Sequence, residues 1–185
     1  MRRDALDLLG RSDIIRVSLV QSGLFLAGAS AYALYVGDPS AIGITSHGLG
    51  RAVVYALGLF VVFAPLVSVP IFLGVRNKLE EILSSRLTST DILWVSLLVS
   101  CGEEMFFRGF LLRVVGVVPS AILFGAMHYI GYESLLEVGY ALSTGLVIGY
   151  LYRYRVPNIL FPIVFHFSLN VFSLLTVRRF AGRSK

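Results

Sequence analysis

The chain has 185 residues, of which 56% are hydrophobic and 15% are charged, and its mean hydropathy is +0.80. This composition excludes an ordinary soluble domain and predicts an integral membrane protein. The net charge of +5 is not gathered into an aromatic-interleaved basic patch, which excludes a nucleic-acid-binding surface.

Apolar runs, taken in chain order, predict about six transmembrane or membrane-embedded helices, because about 20 apolar residues are needed for one crossing. Two long runs come first, and Pro65 and Pro70 are expected to kink the second. A hydrophilic stretch and four further apolar segments follow. The runs are 17–36, 52–75, 92–115, 117–130, 135–152 and 157–177. The sequence therefore predicts an all-α, polytopic membrane helical bundle.

Lysine and arginine are distributed unequally between the two sides of this predicted bundle. One side collects Arg2, Arg3, Arg11, Arg16, Arg76, Lys78, Arg86, Arg178, Arg179, Arg183 and Lys185. The other side receives Arg51, Arg113, Arg153 and Arg155. Because positive residues concentrate on the inner side of a membrane, we expect both termini in the cytoplasm and the protein in the plasma membrane.

The segment "GEEMFFRG" at 102–109 places three charges inside an apolar run. Each charge near the bilayer centre costs about 3 kcal/mol, so compensating contacts are required. Glu104 and Arg108 are four residues apart and can pair on one helix face. Glu103 lies about 100° around the helix from Glu104, so it needs a partner from another helix.

Two later segments carry polar residues that could meet Glu103. His128 follows Phe124 by four residues in "FGAMH", and His166 precedes Asn170 by four in "HFSLN". Each pair lies on one helix face, and intramembrane polar faces turn inward. In contrast, we assign no role to His47, which lies in a Gly/Ser-rich loop.

These side chains suit amide hydrolysis. A buried carboxylate beside a histidine can take a proton from water, and a second histidine with an asparagine amide can donate hydrogen bonds to an oxyanion. Two histidines and a glutamate could also hold Zn²⁺, but the HExxH pattern is absent. The sequence favours the metal-free interpretation and leaves the other open.

The three segments "EEMFFR", "FGAMH" and "HFSLN" resemble, in this order, the motifs of the type II CAAX prenyl endopeptidases. These form the membrane-embedded CPBP group, also called Abi or lysostaphin-resistance-protein-A-like proteins. The resemblance covers about residues 90–175. It divides the chain into N-terminal helices with their loops (1–90), a catalytic helical core (91–178) and a short basic tail (179–185).

The resemblance implies a role for each motif residue. Glu103 would activate the attacking water with His128 as its partner, and His166 and Asn170 would stabilise the oxyanion. Glu104 and Arg108 would form a structural or orienting pair, and Phe124 would position the helix of His128. If the protein is a metallo-endopeptidase, the ligands would be Glu103, His128 and His166.

Two functions follow as hypotheses. The first is an intramembrane endopeptidase that cleaves a membrane-associated protein or peptide within the lipid bilayer, with the CAAX-type prenylated tail as one candidate. The second is a non-hydrolytic membrane protein on the same scaffold, with a bacteriocin-immunity, partner-binding or transport role. The intact set of four polar residues favours the enzyme.

Overall fold

The structure is a computed structural model that describes residues 8–72, 78–132 and 135–181. These residues fold into a succession of helices joined by short connections. In chain order the elements are α1 (Arg11–Val36), a 3₁₀ helix (Pro39–Ile42), α2 (Leu49–Phe72), α3 (Lys78–Arg86), α4 (Ser89–Glu104), a π-helix (Met105–Leu111), α5 (Leu112–Val115), α6 (Val117–Tyr132), α7 (Leu135–Tyr154) and α8 (Leu160–Ala181).

Within the described ranges, the helices α1, α2, α7 and α8 are long and apolar enough to cross a membrane. α6 is apolar but shorter. α4 continues through the π-helix into α5, and this continuous helical segment carries the charged residues Glu103, Glu104 and Arg108. Many large apolar side chains point outward, such as Leu34 at 82% and Leu24 at 69% exposure. An outward apolar surface of this kind fits lipid contact. The all-α membrane bundle is therefore confirmed, with about six embedded segments.

Local sequence signals explain several helix ends. The Thr88 hydroxyl accepts from the Asp91 backbone N–H, and the Asp91 carboxylate accepts from the Thr88 N–H at 2.8 Å, which is a capping box at the start of α4. α1 ends at Gly37, whose φ of 75° is the left-handed conformation that glycine adopts freely. α2 continues helical through Pro65 and Pro70.

Helix α8 is the centre of the bundle. It packs against α2 along one side and against α4 and α3 on others, while α6 pairs with α7 and α1 lies along α4 and the π-helix. The core is filled by side chains of α2, α7 and α8, among them Tyr152, Phe161 and Phe165. This arrangement buries the polar face of α8 against the charged end of α4.

The first and last described helices meet at one end of the bundle. Arg11 at the start of α1 binds Asp91 with two hydrogen bonds of 2.7 and 2.8 Å. Arg178 near the end of α8 donates to Ser89 and to the carbonyl oxygens of Ser84 and Leu87. The basic residues expected in the tails and in the α2–α3 connection (Arg2, Arg3, Arg76 and Arg183, with Lys185) lie outside the described residues.

Candidate active site

The charged end of α4 runs directly into a π-helix. Glu103 and Glu104 are the last residues of α4, and Arg108 lies in the π-helical turns that follow. Such wide turns are uncommon and occur frequently at functional sites. The sequence carries no signal for this change of helix type, so it was not predicted.

Glu104 is the most buried member of the site, with no exposed surface. Its Oε1 accepts from the Arg108 Nη1 at 3.1 Å, and its Oε2 lies 3.1 Å from the Arg108 Nε without hydrogen-bond alignment. The spacing of four residues predicts this ion pair. The same Oε1 also contacts Nδ1 of His166 at 2.8 Å, a contact that the spacing did not predict.

Phe124 explains how the Arg108 guanidinium tolerates burial. Its ring lies under the guanidinium, with 4.1 Å from the Arg108 Cζ to the ring centroid. Among the described residues, Arg108 Nη2 has no hydrogen-bond partner, and the electron-rich ring face partly replaces one. Phe124 also contacts the rings of His128 and His166, with centroid distances of 4.5 and 6.1 Å.

Glu103 lies on the other side of the same helix end and is 9% exposed. Its Oε1 accepts a hydrogen bond of 3.0 Å from the side-chain amide of Gln21 in α1. Its Oε2 lies 4.0 Å from Nε2 of His166, which is too long for a direct hydrogen bond. The required partner from another helix is therefore Gln21 first and His166 second.

Gln21 is the site residue that motif analysis missed. It belongs to α1, far from the three motifs, and its hydrogen bond to Glu103 joins positions 82 residues apart. One signal for it exists in the sequence, since it is a lone amide within an apolar span, and polar residues inside membrane helices commonly have functional partners.

In both histidines the ring nitrogen Nδ1 makes a hydrogen bond within the protein. Nδ1 of His128 lies 2.8 Å from the backbone oxygen of Phe124, and a carbonyl can only accept, so this Nδ1 carries a hydrogen. Nδ1 of His166 likewise donates to the Glu104 carboxylate. In each neutral ring the lone pair is then on Nε2, the atom that can accept a proton.

Asn170 lies one turn after His166 on α8 and is half-buried. Within the described part of the chain, its carboxamide makes no hydrogen bond, so both of its N–H groups are open to a ligand. The structure thus brings Glu103, Glu104, Arg108, Phe124, His128 and His166 into one cluster, with Asn170 beside His166.

The donor arrangement does not fit a metal ion. No group of three or more His, Cys, Asp or Glu side chains in the described ranges is placed to hold one. The Nδ1 of His166 is occupied by Glu104, and the acidic oxygen of Glu103 that faces its Nε2 is 4.0 Å away. No step of the chemistry below is therefore assigned to a metal.

A surface groove of about 470 Å³ lies between α1 and α6. It is lined by Arg16, Val17, Val20, Gln21, Leu24 and Phe25 of α1 and by Met127 of α6. The volume lies within the range of ligand pockets. Gln21, whose side-chain amide binds Glu103, is one of the lining residues, so the groove lies next to a residue that contacts the carboxylate.

Two comparisons with known proteins find similar sequences. YpbD of Bacillus subtilis (strain 168), described as an uncharacterized protein, is 24% identical over 105 residues, which is 57% of this chain and 53% of that protein. The chain therefore spans about half the length of this curated relative. No solved structure gives a significant match. Residues 85–172, which include every site residue named above except Gln21, match the model of the type II CAAX prenyl endopeptidase Rce1-like family, so this part of the chain is similar to that family.

Proposed function

We propose that the protein is an intramembrane endopeptidase that hydrolyses a peptide bond of a membrane-associated protein. The observation that carries the proposal is the placement of Glu103, a buried carboxylate with one oxygen held by Gln21 and the other facing a histidine. The family description makes a prenylated CAAX-type tail the first substrate to test.

The proposed reaction begins with a water beside Glu103. A water oxygen about 2.8 Å from each partner fits between Glu103 Oε2 and the facing Nε2 of His166, since these atoms are 4.0 Å apart. Glu103 takes the proton of this water, with His128 as its partner, and the hydroxide attacks the carbonyl carbon. The proton then passes to the leaving nitrogen as the amide bond breaks.

The developing oxyanion is proposed to be bound by His166 and Asn170. Because Nδ1–H of His166 donates to Glu104, its Nε2 donates only when the ring is an imidazolium. With this ring charged, Glu103, Glu104, Arg108 and His166 sum to zero charge, which suits a buried cluster. The open amide of Asn170 supplies the second donor.

The test uses purified protein in liposomes with a prenylated peptide ending in a CAAX sequence. Glu103→Gln is expected to lower kcat by about 10²- to 10⁴-fold, the usual contribution of a general base. Asn170→Ala is expected to lower it by about 10²- to 10³-fold. Leu34→Ala, on the exposed face of α1, is the matched control and retains full activity.

Cleavage by Glu103→Gln at the wild-type rate contradicts the proposed mechanism. A wild-type protein that binds the peptide and does not cleave it supports the non-hydrolytic alternative. Chelator treatment tests the metal question separately: we expect cleavage to persist, because the donors are not arranged for a metal. Loss of cleavage that added Zn²⁺ restores would instead establish a metallo-endopeptidase.

We further propose that the protein lies in the plasma membrane with both termini in the cytoplasm. The support is that Arg11 and Arg178 lie at one end of the bundle together with Arg86 and Asp91, so the two ends of the described chain share a side. A fluorescent protein fused after Lys185 should fluoresce, and a periplasmic phosphatase at the same place should be inactive. The opposite pair of results refutes this orientation.

A further inference from the structure

The first transmembrane helix contributes one polar side chain to the site. Gln21 lies in the apolar part of α1, is half-buried, and donates from Nε2 to Glu103 Oε1 at 3.0 Å. It is outside residues 85–172, so the family match does not include it. The packing of α1 against α4 determines where the Gln21 side chain lies.

That packing is close and holds Gln21 in place. A Cβ added to Gly102 would lie 2.8 Å from the Cα of Ser22, so the two backbones approach as only glycine allows. One turn further along α1, Phe25 stacks on Phe106 with ring centroids 4.9 Å apart. These two contacts bracket Glu103 and fix the amide of Gln21 beside it.

The Gln21 amide binds only one of the two carboxylate oxygens of Glu103. Oε1 is held by Gln21, so Oε2 is the oxygen that faces His166 Nε2. An N–H donor also favours the ionised form of a carboxylate, which is the form that accepts a proton. Glu104, Arg108, His128 and His166 are the other charged or titratable groups around this carboxylate.

We propose that Gln21 is a positioning residue for Glu103. It fixes the rotation of the carboxylate and makes α1 a necessary part of the site. The proposal rests on the proposed function for its kinetic consequence. The hydrogen bond and its effect on the reactivity of Glu103 do not depend on peptide hydrolysis.

The kinetic test compares Gln21→Met with wild type. Methionine matches the length of glutamine and suits an apolar helix, but it donates no hydrogen bond. We expect kcat to fall about tenfold, equivalent to about 1.4 kcal/mol, with KM changed less than about twofold. Leu19→Ala, at an exposed position of α1 that does not line the groove, is the control and keeps its kcat.

A second variant gives a signature that a purely structural role would not produce. Gln21→Glu places a second carboxyl against Glu103. Two carboxylates at this distance cannot both be charged at low cost, so the pair shares one proton at moderate pH. Activity of this variant should be lost at alkaline pH and partly recover as the pH falls, unlike the wild-type profile.

A chemical readout separates this proposal from the function itself. A hydrophobic carbodiimide modifies protonated carboxyl groups in apolar surroundings, and mass spectrometry locates the modified residue. Glu103 should become modified at higher pH in Gln21→Met than in wild type, while Leu19→Ala matches wild type. Unchanged modification together with unchanged kcat in Gln21→Met overturns the proposal. An altered modification profile supports it even if Glu103→Gln still cleaves peptide.

Discussion

Two of the carboxylate–guanidinium pairs in the described part of the chain lie in opposite settings. Glu104 and Arg108 are 0% and 2% exposed, lie four residues apart and belong to one continuous helical rod. Arg11 and Asp91 lie at the end of the bundle, 80 residues apart, and the Arg11 side chain is 57% exposed. The first pair is local and buried, and the second joins two helices in contact with water.

The two pairs differ in how strongly each charge depends on its counter-ion. A buried charge that loses its counter-ion is left in a medium that cannot solvate it, whereas an exposed charge is solvated by water. The buried pair also contacts His166 and the ring of Phe124, so its loss reaches the candidate active site. The exposed pair touches no residue of that site.

The largest expected effect comes from Arg108→Met, which removes one partner of the buried pair. It leaves the Glu104 carboxylate without its guanidinium partner and should lower the free energy of unfolding by about 3–5 kcal/mol, measured by denaturation in detergent. Glu104→Gln combined with Arg108→Met should recover a large part of this loss. Arg155→Met, at an exposed position, is the control. A loss in Arg108→Met no larger than in the control contradicts the importance of the buried pair.

A smaller loss of stability is expected from a substitution that moves α1 away from α4, because only one of the two ion pairs joins these helices. Gly102→Ala forces α1 away from α4, because the new Cβ would lie 2.8 Å from the Cα of Ser22. The cost should be about 1–3 kcal/mol of unfolding free energy, as for other overpacked positions. The Arg11–Asp91 pair and the Gln21–Glu103 bond join these two helices, and the Glu104–Arg108 pair does not.

Gly102→Ala should therefore lower kcat while the buried pair survives. Gly139→Ala is the control, since a Cβ there meets no atom within 4 Å. Spin labels on α1 and α4 would report the separation of the two helices. Wild-type kcat together with an unchanged α1–α4 distance would show that the close approach is not needed to hold Gln21 at Glu103.

Local contacts were within reach of sequence reasoning, and long-range ones were not. Helical spacing predicts that Glu104 meets Arg108 and that Phe124 lies by His128, because each pair is separated by one turn. The apolar runs predicted the positions of the long apolar helices, but the first run starts six residues after the beginning of α1, and α3 (Lys78–Arg86) falls in a stretch described only as hydrophilic.

The partners of Glu103 and Glu104 across the bundle required the structure. No rule of spacing says that Gln21 binds Glu103 or that His166 contacts Glu104 more closely than Glu103. Those contacts depend on how α1 and α8 pack against the end of α4. The π-helix, which carries Arg108, likewise depends on packing and has no local signature.

The smallest expected effect belongs to the exposed pair, and its pH dependence gives its sign. The Arg11 guanidinium, helped by Thr88, holds the pKa of Asp91 well below its usual range. A carboxyl whose pKa is lower in the folded protein stabilises the fold above its unfolded pKa of about 3.9, and this contribution is lost as the pH falls below that value. Arg11→Gln, which keeps the Thr88–Asp91 cap, should lower Tm slightly at pH 7. This difference should vanish in about 1 M salt, where the screening length is about 3 Å, and shrink below about pH 4. A Tm difference that is independent of both salt and pH would mean that Arg11 acts through packing of its side chain rather than through its charge.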